Sequence, residues 1–142
     1  MAVEHIHTAV TWYLVGLIWL VQIVQYPMFA YLDRATFTQA HAFHSAAIGI
    51  VVGPPMLLEL ALAGWMVMHL RTPLAWGGLG LLGAIWAVTF FVIVPMHNQL
   101  GTTGFDAEVH GRMVAWNWVR TVAWSLRGVA ALVWTMRYAS AS

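Results

Sequence analysis

The sequence contains no cysteine and no lysine. Without cysteine the chain cannot form disulfides, thiolate nucleophiles, iron–sulfur clusters or cysteine-ligated zinc sites. Charge is also scarce, since Asp, Glu, Lys and Arg make up 8% of the 142 residues, whereas soluble domains carry about 25%. The net charge is only +1, so no basic surface for nucleic acid is expected. These scarcities exclude a soluble enzyme, a nucleic-acid-binding protein and a disordered segment.

Apolar residues are abundant instead, at 61% of the chain with a mean hydropathy of +0.76. A membrane-spanning helix needs about 20 mostly apolar residues. Four such runs are predicted, at about residues 6–30, 37–70, 74–97 and 108–137. The first run lacks the basic flank of a signal peptide and is therefore predicted to be a helix of the bundle. The sequence predicts one domain, residues 1–142, which is an all-α integral membrane protein with four transmembrane helices.

The arginines near the span ends bear on the orientation. Arg71 and Arg137 lie on the side of the termini, and Arg34 and Arg112 lie on the opposite side. The positive-inside rule counts basic residues near the spans, and by this count the two sides are nearly equal. We predict a bacterial inner-membrane protein with both termini in the cytoplasm. The expected partners are the lipid bilayer and a hydrophobic small-molecule substrate. Several glycines in the third run would also permit a homo-oligomer.

The two halves of the chain follow the same pattern. Each half reads helix, Pro-Met, loop, Phe, His, helix. The matching residues are Pro27 and Pro95, Phe37 and Phe105, and His41 and His110. The pattern favours a duplicated helical hairpin, with the two hairpins related by an axis along the membrane normal. The alternative is that proline and aromatic residues gather at span ends in any membrane protein.

Histidine is the most abundant site-forming residue in the predicted spans. Four of the seven histidines lie at the end away from the termini: His41, His44, His97 and His110. The i, i+3 spacing of His41 and His44 places both on one helical face. Because imidazole is a common metal ligand and bundles assemble such sites from facing helices, we predict that these four bind a transition metal. Iron, copper or zinc would suit the ligands better than haem; the alternative is four histidines solvated at the membrane surface.

The remaining three histidines, His5, His7 and His69, lie at the terminal side and are predicted to be solvated or interfacial.

Charged residues within the spans need partners, because an ionised side chain in the bilayer is costly. The depths counted along the helices allow Glu59 to pair with Arg127 or with Arg120. Either arginine could instead bind an anion or a substrate, since its guanidinium presents a planar set of donors.

Polar residues next to the histidines complete the predicted site. Asn98 follows His97, and Asn117 lies three residues before Arg120, on the same helical face. We predict that His97 serves as an acid or base, while Asn98, Asn117 and Arg120 orient the substrate. The tryptophans are predicted to be belt and packing residues.

Two short segments carry a resemblance to known proteins. Residues 95–100 (PMHNQL) and 117–121 (NWVRT) resemble the small four-helix membrane family of anthrone oxygenase-like proteins, although His97 stands where that family tends to have Asn. The first half, with its QYP and GPPMLLE motifs, resembles four-helix membrane protoporphyrinogen oxidases more loosely. The resemblance implies oxidation of a hydrophobic aromatic substrate within the bilayer.

The sequence thus predicts an integral membrane oxidoreductase or oxygenase with a histidine-rich, metal-binding site near the membrane face away from the termini. Two alternatives stay open. One is a small transporter or channel lined by Gln22, Glu59, Asn117 and Arg120. The other is a membrane subunit without catalytic activity.

Overall fold

The computed structural model describes residues 2–139, and this part of the chain contains helices and short connections but no strand. The ends of the predicted domain, residues 1 and 140–142, lie outside the described residues. Four long helices are present: α1 (Ala2–Tyr31), α2 (Phe37–Leu70), α3 (Pro73–Thr103) and α4 (Ala107–Ala139). The all-helical prediction is confirmed.

Three of the four helices, α1, α2 and α3, are long and apolar enough to cross a membrane. The fourth, α4, has 33 residues and sufficient length, but it is not among these candidates. Its charged residues explain the difference, since Arg112, Arg120, Arg127 and Arg137 all lie within it.

The third helix ends later than the sequence predicts. The third helix continues to Thr103, so the predicted connection after His97 shrinks to residues 104–106. Helix α3 ends at Gly104, whose φ of 85° lies in the left-handed region that favours glycine. Helix α2 runs unbroken through Pro54 and Pro55.

Helices α1 and α3 both widen into one π-helical segment, at Val21–Gln25 and Thr89–Ile93. Each segment ends two residues before a proline, Pro27 or Pro95. Proline has no N–H, and its ring clashes with the carbonyl four residues earlier. A wider turn just before the ring accommodates that clash, and such π segments are frequent at functional sites.

The helices pack in a ring, in which α1 and α3 each contact both α2 and α4. At one end, here called the terminal end, the Thr8 and Thr135 hydroxyls are 2.8 Å apart, so α1 starts beside the end of α4. The opposite end, here called the distal end, carries the connections at residues 32–36 and 104–106. There the rings of Phe37 and Phe105 meet with centroids 5.4 Å apart.

Residues 68 positions apart match in structure as well as in sequence. The two π segments and the two prolines obey this spacing. Three pairs with the same spacing contact each other. These pairs are Phe37 with Phe105, Phe29 with His97, and Glu59 with Arg127.

Candidate functional site

Two polar groups of residues lie inside the bundle, and the one nearer the terminal end is an ion-pair network, here called the terminal cluster. Its members are His7, Thr11, Glu59, Trp124 and Arg127. Glu59 is fully buried, and its Oε1 accepts bonds from Arg127 Nη2 at 2.9 Å and from Arg127 Nε at 3.1 Å. The depths counted along the helices allowed Glu59 to pair with Arg127 or with Arg120, and the structure contains the pair with Arg127.

Further hydrogen bonds engage atoms of Glu59 and Arg127 beyond the ion pair. The Thr11 hydroxyl donates to Glu59 Oε1 at 3.0 Å, and the Trp124 indole donates to Oε2 at 3.1 Å. Arg127 also donates to the Gly78 carbonyl and lies 3.2 Å from His7 Nε2. The prediction of a solvated His7 is therefore wrong, because α1 places this ring against the buried guanidinium.

At the distal end a tyrosine and two histidines form a continuous chain of hydrogen bonds, here called the imidazole chain. The Tyr26 hydroxyl lies 2.9 Å from His97 Nε2, and His97 Nδ1 lies 2.9 Å from His41 Nε2. Tyr26 and His41 are 3% and 2% exposed, so both bonds are screened from solvent. The chain links α1, α3 and α2.

The other two predicted histidines lie next to this chain. The His44 ring stacks on His97 with centroids 5.9 Å apart, and His44 Nε2 is buried without a partner. His110 Nε2 donates to the Tyr26 carbonyl at 2.7 Å. Phe29 lies between them, with its ring contacting all four imidazoles. Three helices thus bring the four histidines together around one aromatic side chain.

The arrangement does not form the predicted metal site. Both ring nitrogens of His97 are already engaged, with Tyr26 and with His41, and one nitrogen of His110 bonds to a backbone carbonyl. Within residues 2–139, no group of three or more His, Asp or Glu side chains is placed to hold a metal ion. The four imidazoles as placed therefore do not fit a shared ion, and iron, copper or zinc stays a prediction from the sequence.

Arg120 lies between the imidazole chain and the terminal cluster. It is 6% exposed, and its Nη1 donates to Asn117 Oδ1 at 3.1 Å. Asn117 in turn donates to Gln22 Oε1 at 2.9 Å. The guanidinium also interacts electrostatically with the Tyr26 hydroxyl and lies 5.4 Å from the Trp124 ring. All of these partners are neutral.

A cavity of about 490 Å³ extends from the imidazole chain into the middle of the bundle. Its wall is mostly apolar and includes the π-helical segment of α3. The polar residues that line it are Tyr26, Ser45, Trp86, Thr89, His97, Asn98 and Arg120. Leu57 of α2 and Phe90 of α3 also line it and are 61% and 52% exposed, so the cavity opens sideways between these helices. A concave apolar pocket with a few convergent polar groups is the usual form of a small-molecule site.

Three polar atoms of cavity-lining residues are buried without a hydrogen-bond partner: Ser45 Oγ, Trp86 Nε1 and Arg120 Nε. Buried polar groups in proteins are nearly always bonded, so unpartnered ones need a physical explanation. Two of the three atoms, on Trp86 and Arg120, can only donate. The residues that line the cavity therefore include two whose buried nitrogens have no acceptor in the described chain.

The sequence placed some of these residues correctly and missed others. Of the predicted catalytic set, His97, Asn98 and Arg120 line the cavity, whereas Asn117 lies behind Arg120 and holds its guanidinium. Tyr26 was given no role in the predicted site, although it lies beside Pro27 at the end of the bundle where the histidines were predicted. Trp86 and Trp124 were assigned to packing, and no local pattern distinguishes them from the other tryptophans.

Comparison of the chain with protein-family models, with curated proteins and with solved structures finds no match. The resemblance to anthrone oxygenase-like proteins and to protoporphyrinogen oxidases is therefore still a prediction. The argument for function rests on the site itself.

Proposed function

We propose that the chain is an integral membrane protein whose four helices all span the bilayer, with the duplicated hairpin as its architecture. Large apolar side chains on its outer surface support insertion, for example Phe43 and Ile50 on α2 and Phe91 on α3, which are 75–82% exposed. An apolar outer surface of this extent suits lipid better than water. The charges of α4 support its inclusion, because Arg120 and Arg127 face the interior of the bundle.

Within that membrane, we propose that the protein is an enzyme acting on a hydrophobic substrate that enters the cavity from the bilayer. The cavity carries this proposal: it is apolar, it opens between α2 and α3, and its inner end is formed by Tyr26 and His97. Its volume of about 490 Å³ lies within the range of small-molecule sites, about 300–1,000 Å³. A substrate in the cavity would have its polar end beside the imidazole chain.

The imidazole chain supports proton transfer as the chemistry. In one arrangement the Tyr26 hydroxyl donates to His97 Nε2, and His97 Nδ1–H donates to His41 Nε2. A proton taken from the substrate by the Tyr26 oxygen would release the Tyr26 proton to His97, and the Nδ1 proton of His97 to His41. Tyr26 and His97 each gain one proton and lose one, and His41 keeps the extra proton as an imidazolium. General acid–base catalysis of this kind typically contributes about 10²–10⁴-fold.

That the enzyme is an oxidoreductase or an oxygenase remains a prediction from the sequence. The transporter alternative has less support, because Gln22, Glu59 and Asn117 are bonded to other side chains in the packed core and do not line the cavity. No contact within the described residues favours a subunit without catalytic activity.

The test uses the full chain in lipid nanodiscs, with anthrone as a hydrophobic aromatic probe. Deuterium exchange at the acidic carbon of anthrone, followed by mass spectrometry, reports proton transfer directly. We expect the wild type to accelerate exchange, and Tyr26→Phe and His97→Gln each to lose about 10²-fold of that acceleration, since either change interrupts the imidazole chain. His69→Gln is the matched control, because His69 lies at the terminal end and bonds only to the Trp65 carbonyl.

An exchange rate equal to that of empty nanodiscs would refute acid–base catalysis on this probe. Oxygen consumption by the same sample, together with metal analysis and an absorption spectrum, tests the oxidoreductase class separately. A bound iron or copper that disappears in His44→Ala would support the predicted metal site. A metal content unchanged by His44→Ala and His97→Ala would refute it.

A further inference from the structure

Arg120 is a buried cation for which the described residues supply no counter-charge. It is 6% exposed, and no carboxylate pairs with it anywhere in residues 2–139. Arg127, seven residues further along α4, is equally buried but carries the Glu59 carboxylate at 2.9 Å. An uncompensated charge within a bilayer is costly, so such a residue marks a functional site.

The position of Arg120 points to a ligand as the missing partner. Its side chain lines the cavity, and its Nε is buried with no acceptor. Trp86 and Ser45 also line the cavity, and the indole Nε1 of Trp86 and the hydroxyl of Ser45 are buried without partners. A guanidinium and an indole only donate, so their common complement is a group of acceptor oxygens.

We infer that the cavity binds an apolar molecule bearing one anionic oxygen group, a carboxylate or a phenolate, and that Arg120 binds that group. The inference rests on the proposed function, because it needs the cavity to be the binding site. Asn117 serves as a positioning residue, since its Oδ1 holds Nη1 while Nε stays free. The apolar wall then receives the body of the ligand, which enters between Leu57 and Phe90.

The experiment compares two probes of equal chain length, laurate and dodecanol, with the full chain in nanodiscs of zwitterionic lipid. Radiolabelled probe bound to the protein is corrected for partition into empty nanodiscs. We expect the wild type to bind laurate at least tenfold more tightly than dodecanol, because charge-assisted hydrogen bonds are the stronger kind. Arg120→Gln should lose this preference and leave the binding of dodecanol unchanged.

Arg120→Lys keeps the charge but loses the planar donors, so it should retain part of the preference for laurate. The unfolding midpoint of each variant shows whether the bundle still folds. Equal binding of laurate and dodecanol by the wild type would overturn the inference and leave the proposed cavity standing. Binding of neither probe would overturn the proposed cavity itself, and a preference for laurate that survives in Arg120→Gln would overturn the role of Arg120.

Discussion

Two arginines of the same helix, seven residues or about two helical turns apart, have opposite surroundings. Arg127 is 3% exposed and bonded on all sides, to Glu59, to the Gly78 carbonyl and to His7. Arg120 is 6% exposed, has only neutral partners and keeps one nitrogen unpartnered beside a cavity. Burial alone therefore does not distinguish a structural charge from a functional one; the number of satisfied donors does.

Arg127, whose guanidinium is bonded to the Glu59 carboxylate, should carry stability, and Arg120, which has an unpartnered donor, should carry binding. A buried charge pair that is fully bonded gains little from a ligand and loses much when one member is removed. A site with free donors behaves in the opposite way, since proteins commonly give up stability where function needs it.

The largest expected effect is on stability at the terminal cluster. Arg127→Gln removes one member of a buried pair and leaves the Glu59 carboxylate uncompensated, which should cost about 3–5 kcal/mol of unfolding free energy. Arg120→Gln leaves no such charge behind and should change stability by much less. Thermal unfolding in detergent, followed by intrinsic tryptophan fluorescence, measures both. Equal losses in the two variants would contradict the distinction drawn between the two arginines.

The next effect is on binding at the cavity. Gly49 of α2 lines the cavity, and a Cβ there would meet no atom within 4 Å, so Gly49→Leu should add a side chain at the cavity without disturbing the backbone. We expect laurate and dodecanol both to bind at least tenfold more weakly. Gly64→Leu, on the same helix and equally open but away from the cavity, is the control. Unchanged binding in Gly49→Leu would place the ligand elsewhere.

The last comparison concerns the contributions of two hydroxyls, those of Thr11 and Ser45, to stability. Thr11→Val removes a donor to the buried Glu59 carboxylate and should cost about 1.5–3 kcal/mol, since hydrogen bonds to charged groups are worth that much. Ser45→Ala removes a hydroxyl oxygen that has no partner, so stability should be unchanged or slightly higher. Chemical denaturation of the two variants side by side gives both values. A loss for Ser45→Ala as large as that for Thr11→Val would mean that the cavity hydroxyl is already satisfied.

Helix number and the inward position of the charged residues could be predicted from the sequence. The apolar runs have the length of spans, and a charged residue within such a run has to face the interior. The end of α3 could not be predicted, because the polar residues after His97 read as a loop; the helix instead continues to Gly104. The burial of His7 was also missed, because it depends on the packing between helices, which places His7 Nε2 against Arg127.

The sequence by itself determined the depth of each polar residue, because a helix rises by a fixed 1.5 Å per residue. That was enough to bring His41, His44, His97 and His110 to one end of the bundle. Only the tertiary structure decided which arginine meets Glu59 and which nitrogen of His97 meets Tyr26. Those choices depend on how each helix is rotated about its axis and which helix lies beside it, and packing between helices sets both.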